Sequence, residues 1–459
     1  PDSKAFFYDY NSRGVKSIEL RTVDVETGEQ KVAIREQSEK YVDPGETQYR
    51  FLHGTGEIVW TSERDGWNHI YLYGQRANGA AAQLTSGPWT VHKIEFVDEK
   101  NRRVYFLAGG REKGEDPCQT HLYSVGLDGK GLILLTPENA THTASVSPDG
   151  AYFVDNFSRP DSPGASMLRR AKDGSERQAL EKGDAGRLLA TGWRFPEAFE
   201  GKSADGKEEL YGLMWRPSNF DPSRKYPVVE HVYTGPQGYF VPKTFQAAFG
   251  RGGLQAVAEL GFVVVMIDGR GTTGRSRAFH EYSYRNLGGA FEDHVAMIQQ
   301  LAKKYPFVDA ERVGIFGTSA GGYGAAHAML VHPEFYKVGV TISGDHDARL
   351  DKAWWNELYQ GYPVQSDYIE QSNVTMAGRL EGHLMIEHGD IDDNVHPAGT
   401  MRFVDALIKA NRSFDMLFVP NMAHGEKDSY LARRRWDYFV QHLLGVEPPR
   451  NFEVKAAEQ

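Results

Sequence analysis

Hydrophobic and polar positions follow two different rhythms along this chain of 459 residues. Up to about residue 190 the apolar stretches are short, aromatic and β-branched. Ala5-Phe-Phe-Tyr-Asp-Tyr10, Ile58-Val-Trp-Thr61, Ile70-Tyr-Leu-Tyr73, Val104-Tyr-Phe-Leu107 and Tyr152-Phe-Val-Asp155 read as strands. Asp-Gly pairs at 65–66, 128–129, 149–150 and 173–174 supply tight turns between them. One unit recurs: Ile70-Tyr-Leu-Tyr73 followed by Gln83-Leu-Thr85 returns as Leu122-Tyr-Ser-Val125 followed by Leu134-Leu-Thr136. A recurrence at about 50 residues is close to the period of a propeller blade. Residues 1–190 are therefore expected to form a partial β-propeller of about four blades, in preference to a β-sandwich of uneven strands.

From about Thr191 strands and helices alternate. Tyr211 to Pro217 and Lys225 to Tyr233 read as strands, and Gly261-Phe-Val-Val-Val-Met-Ile267 is a nearly unbroken apolar run of the kind a strand shows when both its faces are covered. Phe291 to Lys304 carries the helical period. Strands at Val313–Phe316, Val338–Ser343, Leu384–Glu387 and Phe414–Val419 follow, with helices over Ala398–Ala410 and Asp428–Leu444. The alternation predicts a doubly wound, mostly parallel α/β sheet over 191–459.

Bulk properties narrow the field. The net charge of −10 argues against nucleic acid or an anionic membrane as the main partner, since both favour a basic face. No run of eighteen apolar residues and no signal-peptide pattern is visible, but the chain opens at Pro1 in what reads as mid-element, so that absence carries little weight. Cys118 is the single cysteine; it forms no intrachain disulfide, and the sequence assigns no compartment. With one cysteine and no H-E-x-x-H there is no zinc pattern, and no cofactor is expected. Gly269-Arg-Gly-Thr-Thr-Gly274 fits G-x-G-x-x-G, but it does not open the first βα unit of its domain and no acidic strand end follows about twenty residues on, so it is read as a turn rather than a dinucleotide site.

The chemistry concentrates at Gly317-Thr-Ser-Ala-Gly321, between an apolar strand and a helix. This is the G-x-S-x-G elbow, whose sharp bend holds a serine hydroxyl clear of the backbone at the C-terminal edge of a parallel sheet. A serine hydroxyl needs a base near neutral pH, and the base needs a carboxylate to fix its tautomer. Downstream, His424-Gly425 follows the strand ending at Val419, which selects His424 over His388, His396 and His442. For the acid, Asp390, Asp392 and Asp393 compete, and spacing does not separate them. An oxyanion needs preorganised donors. The Ala320 N–H is one by the geometry of the elbow, and the Tyr233 phenol is a candidate second, weighed against a core tyrosine.

These residues together resemble the prolyl oligopeptidase family of serine peptidases, in its dipeptidyl peptidase IV-like branch. The matching segments are Tyr233-Thr-Gly-Pro236, Asp268-Gly-Arg-Gly271, Phe307-Val-Asp309, Gly317-x-Ser-x-Gly-Gly-Tyr323, His388-Gly-x-x-Asp-Asp-Asn-Val395 and His424-Gly425, spread in order over the whole α/β half. The resemblance implies Asp392 as the acid, Tyr233 as oxyanion donor, Asn394 as a ligand of a substrate carbonyl and Val395 in the pocket for the residue before the scissile bond. Three departures stand out. The family's propeller has about eight blades, of which the second half is represented here, and the glutamate pair that holds a substrate amine belongs to the other half. Ala320 and Thr318 replace the tyrosine and tryptophan common beside the nucleophile. The segment from Ser343 to Tyr359 lacks the family's aromatic proline box, leaving Trp354, Trp355 and Tyr359 as candidate walls.

The resulting expectation is a serine peptidase acting on short peptides through an acyl-enzyme, with a pocket wider than proline needs. An esterase or amidase on small acyl compounds and an inactive binding module are the alternatives. An arc of four blades leaves sheet edges that further blades or a partner subunit, such as a second copy in a homodimer, would cover.

Overall fold

The computed structural model describes residues 4–74, 81–233, 235–248, 253–425 and 428–454. Its N-terminal part is a series of antiparallel meanders. The first has three strands, Ala5–Asn11, Ser17–Asp24 and Gln30–Gln37. The next three have four each: Tyr49–Phe51, Ile58–Ser62, His69–Tyr73 and Ala82–Gln83; then Thr90–Asp98, Arg103–Gly109, Thr120–Gly126 and Ile133–Leu134; then Thr141–Val146, Tyr152–Arg159, Ser162–Arg170 and Glu176–Lys182. The sequence repeat has a physical basis. Thr85 Oγ1 accepts the Ile70 N–H at 2.9 Å, and Thr136 Oγ1 accepts the Leu122 N–H at 2.8 Å, so each threonine hydroxyl ties the end of a blade back to its third strand. Apolar side chains fill the gaps between blades: Val59, Ile70, Val91, Ile94 and Phe106 between the second and third, Leu107, Leu122, Leu135 and Phe153 between the third and fourth. These sheets are blades of a propeller.

The C-terminal part is one eight-stranded sheet. Its strands, labelled within this sheet, are β1 Glu197–Lys202, β2 Glu209–Trp215, β3 Tyr226–His231, β4 Val263–Asp268, β5 Val308–Thr318, β6 Tyr336–Ile342, β7 His383–Gly389 and β8 Asp415–Val419. Their spatial order is β1-β2-β4-β3-β5-β6-β7-β8, with β1 and β2 antiparallel to their neighbours and β3 to β8 parallel. Its longer helices among the described residues are α1 Leu254–Ala258, α2 Phe291–Lys304, α3 Ala320–Val331, α4 Ala353–Gln360, α5 Ala398–Lys409 and α6 Ser429–Phe439. One apolar cluster joins α2, α3 and α5 to one face of the sheet, through Phe291, Ile298, Ala326, Phe403 and Leu407. A second joins α1 and α6 to the other face, through Val257, Val264, Phe316 and Phe439. Burial on both faces explains the run Val263–Ile267, which is 0 to 7 % exposed throughout. The last expected helix is not one uniform element: α6 ends at Phe439 and a π-helical turn, Val440–Leu444, completes it.

The propeller and the sheet meet along a polar seam. Lys243, 5 % exposed at its side chain, lies 2.7 Å from Asp116 of the third blade and 3.3 Å from Asp268 at the end of β4. Burial alone would push the ammonium toward neutrality, but the two carboxylates reverse this and hold its pKa above the ordinary lysine value. Arg13 pairs with Glu357 of α4 at 2.7 Å, and Tyr41 packs edge-on against Tyr359 and His280.

Candidate active site

The elbow between β5 and α3 is built by what its glycines exclude. A Cβ on Gly317 would stand 2.4 Å from the Gly321 carbonyl oxygen, and one on Gly321 would stand 2.4 Å from that of Val232. No side chain fits, so the chain turns sharply and Ser319 takes φ 63°, ψ −125°, a strained conformation for a residue with a Cβ. The bend is fastened by the Ser319 N–H donating to Ile342 O at 2.9 Å and the Tyr323 N–H donating to Ser319 O at 2.9 Å. Ala320 then opens α3, so the elbow lies at the N-terminal, partly positive end of a helix twelve residues long.

Asp392 and His424 arrive on the loops after β7 and β8. His424 Nδ1 lies 2.8 Å from Asp392 Oδ2. Asp392 Oδ1 accepts the N–H groups of Asn394 at 3.0 Å and Val395 at 2.9 Å, so both carboxylate oxygens are engaged. Burial raises the pKa of this carboxyl, but the Val395 N–H and His424 more than compensate and hold it below the ordinary aspartate value. Among the three competing aspartates, Asp392 is the buried one; Asp390 and Asp393 are exposed. His388 braces the same loop, with Nδ1 2.7 Å from Thr400 Oγ1 and Nε2 2.9 Å from Val395 O, and burial lowers its pKa. His396 is exposed and His442 stacks on His383, away from this constellation. The His424 loop reaches the elbow from the side: the Gly425 N–H donates to Ser343 Oγ at 3.2 Å, and a Cβ on Gly425 would touch Thr318 Cγ2 at 3.7 Å.

Ser319 opens into a cavity of about 160 Å³. Tyr233, Ala320, Asn394, Val395, Trp354 and Trp355 line it. The Tyr233 hydroxyl accepts the Gln237 amide N–H at 3.1 Å, which leaves its own proton for another acceptor, and the ring packs on Phe240 with centroids 4.2 Å apart. Trp355 Nε1–H donates to Gln237 Oε1 at 3.3 Å, so one glutamine ties the two aromatic walls together. Tyr359 departs from the expected wall. At 2 % exposure it sits in an apolar cluster with Tyr41, Tyr323 and Leu358, and its hydroxyl donates to Asp43 at 3.4 Å. One helical turn beyond Trp355, it faces the propeller seam instead.

Sequence reasoning passed over several lining residues. Asp345, Asp351 and Gln360 belong to the segment after β6 but were overshadowed by its aromatics; three aspartates, at 345, 347 and 351, soon after a buried strand end were the available signal. Tyr368, in the short helix Asp367–Glu370, and Gln371 and Ser372 just after it come from a later segment that no local pattern marks. Among the described residues one trio, Glu138, His142 and Asp155 in the fourth blade, has ligand atoms close enough to hold a metal ion. Arg169 already lies 2.6 Å from Glu138 and 2.9 Å from Asp155, so a guanidinium supplies the positive charge there.

Comparison with known proteins agrees with this architecture. The family model described as the prolyl oligopeptidase family matches residues 248–445, and that of the dipeptidyl peptidase IV N-terminal region matches residues 1–164. Human dipeptidyl peptidase 8 is 29% identical over 428 residues, covering 84% of this chain and 46% of that protein. A probable dipeptidyl-aminopeptidase B of Arthroderma gypseum is 30% identical over 373 residues, covering 79% of this chain and 40% of that protein. The crystal structure of Porphyromonas gingivalis dipeptidyl peptidase 4 superposes with a TM-score of 0.85 at 28% identity, over 96% of this chain and 62% of that one. The chain thus spans about half the length of these relatives. With blades and hydrolase sheet each matched by their own model, the chain belongs to the prolyl oligopeptidase family, in its dipeptidyl peptidase IV-like branch.

Proposed function

We propose that this protein is a serine peptidase that removes short acyl-side fragments, dipeptides in the first instance, from peptides. The observation that carries the reading is the placement of a strained serine, Ser319, in the cavity wall, with the bonded pair His424 and Asp392 on the adjoining strand-end loops.

Ser319 Oγ attacks the scissile carbonyl carbon while its proton passes to His424 Nε2. Asp392 accepts the Nδ1–H of the same ring, which fixes the tautomer and stabilises the imidazolium as it forms. Negative charge gathers on the former carbonyl oxygen, where the Ala320 N–H and the Tyr233 hydroxyl donate to it. The C–N bond then breaks, the amine leaves with the proton from His424, and an ester to Ser319 remains. Water repeats the sequence: it gives a proton to His424, bonds to the acyl carbon, and the ester C–O bond breaks with the proton returned to Ser319. Asn394, Val395, Trp354 and Trp355 line the cavity; in this reading Asn394 holds a substrate carbonyl and the other three border the residue before the scissile bond.

A fluorophosphonate tests the reading directly and is expected to label the protein at Ser319 alone. Dipeptidyl anilides assayed beside short-chain acyl esters then decide the substrate class; turnover of esters without anilides would replace the peptidase reading by an esterase one.

A further inference from the structure

The cavity beside Ser319 is rich in hydrogen-bond acceptors. Gln360 is 1 % exposed, lines the cavity, and its Oε1 has no hydrogen-bond partner. An unmet buried acceptor is costly, and an occupant that donates to it relieves that cost. Two carboxylates, Asp345 and Asp351, line the same space. Asp351 is already matched: Lys352 Nζ lies 3.0 Å from its Oδ1 and also donates to Asn394 O. Asp347, just behind, is matched by Arg349 at 2.7 Å and Arg402 at 3.7 Å. Asp345 is different. It is half-buried at the cavity wall, and among the described residues no basic side chain comes within ion-pair distance of it. The lining therefore holds two aspartyl groups against one lysine, and the charge that Asp345 takes on when it ionises has no cation opposite it in the space beside Ser319.

We infer that the cavity receives a positively charged group, an ammonium or a guanidinium, carried by the residue immediately before the scissile bond, with Asp345 as its counter-charge and Gln360 Oε1 as a second acceptor. This rests on Ser319 being the nucleophile. The charge has two sources of the same chemistry: a lysine or arginine side chain, or the free α-amine of a peptide's first residue. Burial and then the neighbouring Asp351 push the Asp345 carboxyl up to about 8, with Asp347 adding to the rise, while an Asn356 hydrogen bond and Lys352 oppose it. In the empty pocket Asp345 therefore carries a proton at neutral pH. A cation binds the ionised form, so selection for charge strengthens as pH rises through about 8.

The experiment uses the full chain and a panel of anilides. One arm compares dipeptidyl anilides ending in lysine or arginine with those ending in norleucine or citrulline, which keep the shape without the charge. The other compares single aminoacyl anilides with their N-acetylated forms. A charge-assisted hydrogen bond predicts a kcat/KM preference of about 10- to 100-fold for the charged member of one arm. In the lysine and arginine arm the preference should grow between pH 6 and pH 9; in the aminoacyl arm it should peak at about pH 8, where the α-amine itself titrates; and D345N should bring either ratio close to one. Fluorophosphonate labelling of Ser319 reports whether each variant is folded and reactive, and D345S is read if D345N does not label. No preference in either arm, with wild-type Ser319 labelled, overturns the inference and leaves the peptidase reading standing. No labelling and no cleavage removes both.

Discussion

The two halves of this molecule are assembled by opposite means. Each blade is closed by neighbours in sequence: Thr85 reaches back to Ile70 and Thr136 to Leu122, and the strands follow one another in space as they do in the chain. The proposed active site gathers Tyr233, Ser319, Asp392 and His424 from four strand ends spread over most of its half, in a sheet whose second to fifth places run β2-β4-β3-β5. Local closure gives parts that fail separately and mildly. Non-local assembly gives a site where small displacements matter greatly, because catalytic groups act only within narrow geometry. Substitutions in the first half are expected to register in stability, and those in the second in rate.

The hardest test of that contrast is Ser319→Ala, expected to lower kcat/KM by about 10⁴-fold or more and abolish fluorophosphonate labelling, while the melting temperature holds or rises as the strain is kept but the hydroxyl is lost. Asp392→Asn keeps the shape but reverses the sense of the bond to His424; a loss of about 10³- to 10⁴-fold in kcat is expected, with KM nearly constant. Tyr233→Phe removes one oxyanion donor and is expected to cost about 10²-fold in kcat, again without a matching change in KM. A Tyr233→Phe enzyme of full activity would leave this ring as a pocket wall only. On the propeller side, Thr136→Val removes the acceptor of the buried Leu122 N–H, at a cost of about 1–3 kcal/mol. Denaturant unfolding should detect it, whereas kcat should stay within a factor of about two; a large fall in kcat would break the proposed division.

The smallest effect sharpens the picture at the seam. Burial and neighbouring acids push the Glu46 carboxyl up to about 8 and that of Glu63 up to about 7. A carboxyl with a raised folded pKa binds its proton more tightly when folded, so stability falls as pH rises from the ordinary glutamate range toward those values. Glu46→Gln and Glu63→Gln should therefore raise the melting temperature by a few degrees at pH 8 and by less at pH 5. Thermal melts at the two pH values decide it.

What was legible in the sequence follows the same division of local and non-local. The strand runs of the blades, the apolar β4 and the amphipathic α2 all appear where their patterns lie, because side-chain burial there repeats at the period of the element. The strand Glu176–Lys182 escaped because every residue in it is exposed, and β1 because its pairing with β2 leaves only Phe199 buried, so neither shows the usual alternation. At the site, the elbow could be read because its glycines are forced by backbone crowding within five residues. The choice among Asp390, Asp392 and Asp393 could not, since it turns on which side chain the loop folds inward. Asp345 was hidden for a further reason: its meaning lies in the absence of a basic neighbour, and a missing partner leaves no trace in a string of letters.

Lys243 carries a last consequence. An ammonium held between a carboxylate of the third blade and one at the tip of β4 would keep only the second if the two units separated, and Asp116 would lose its cation. The seam is thus fastened most firmly where a buried cation is shared by both units, and parting them at that point costs more than parting them where only exposed side chains meet.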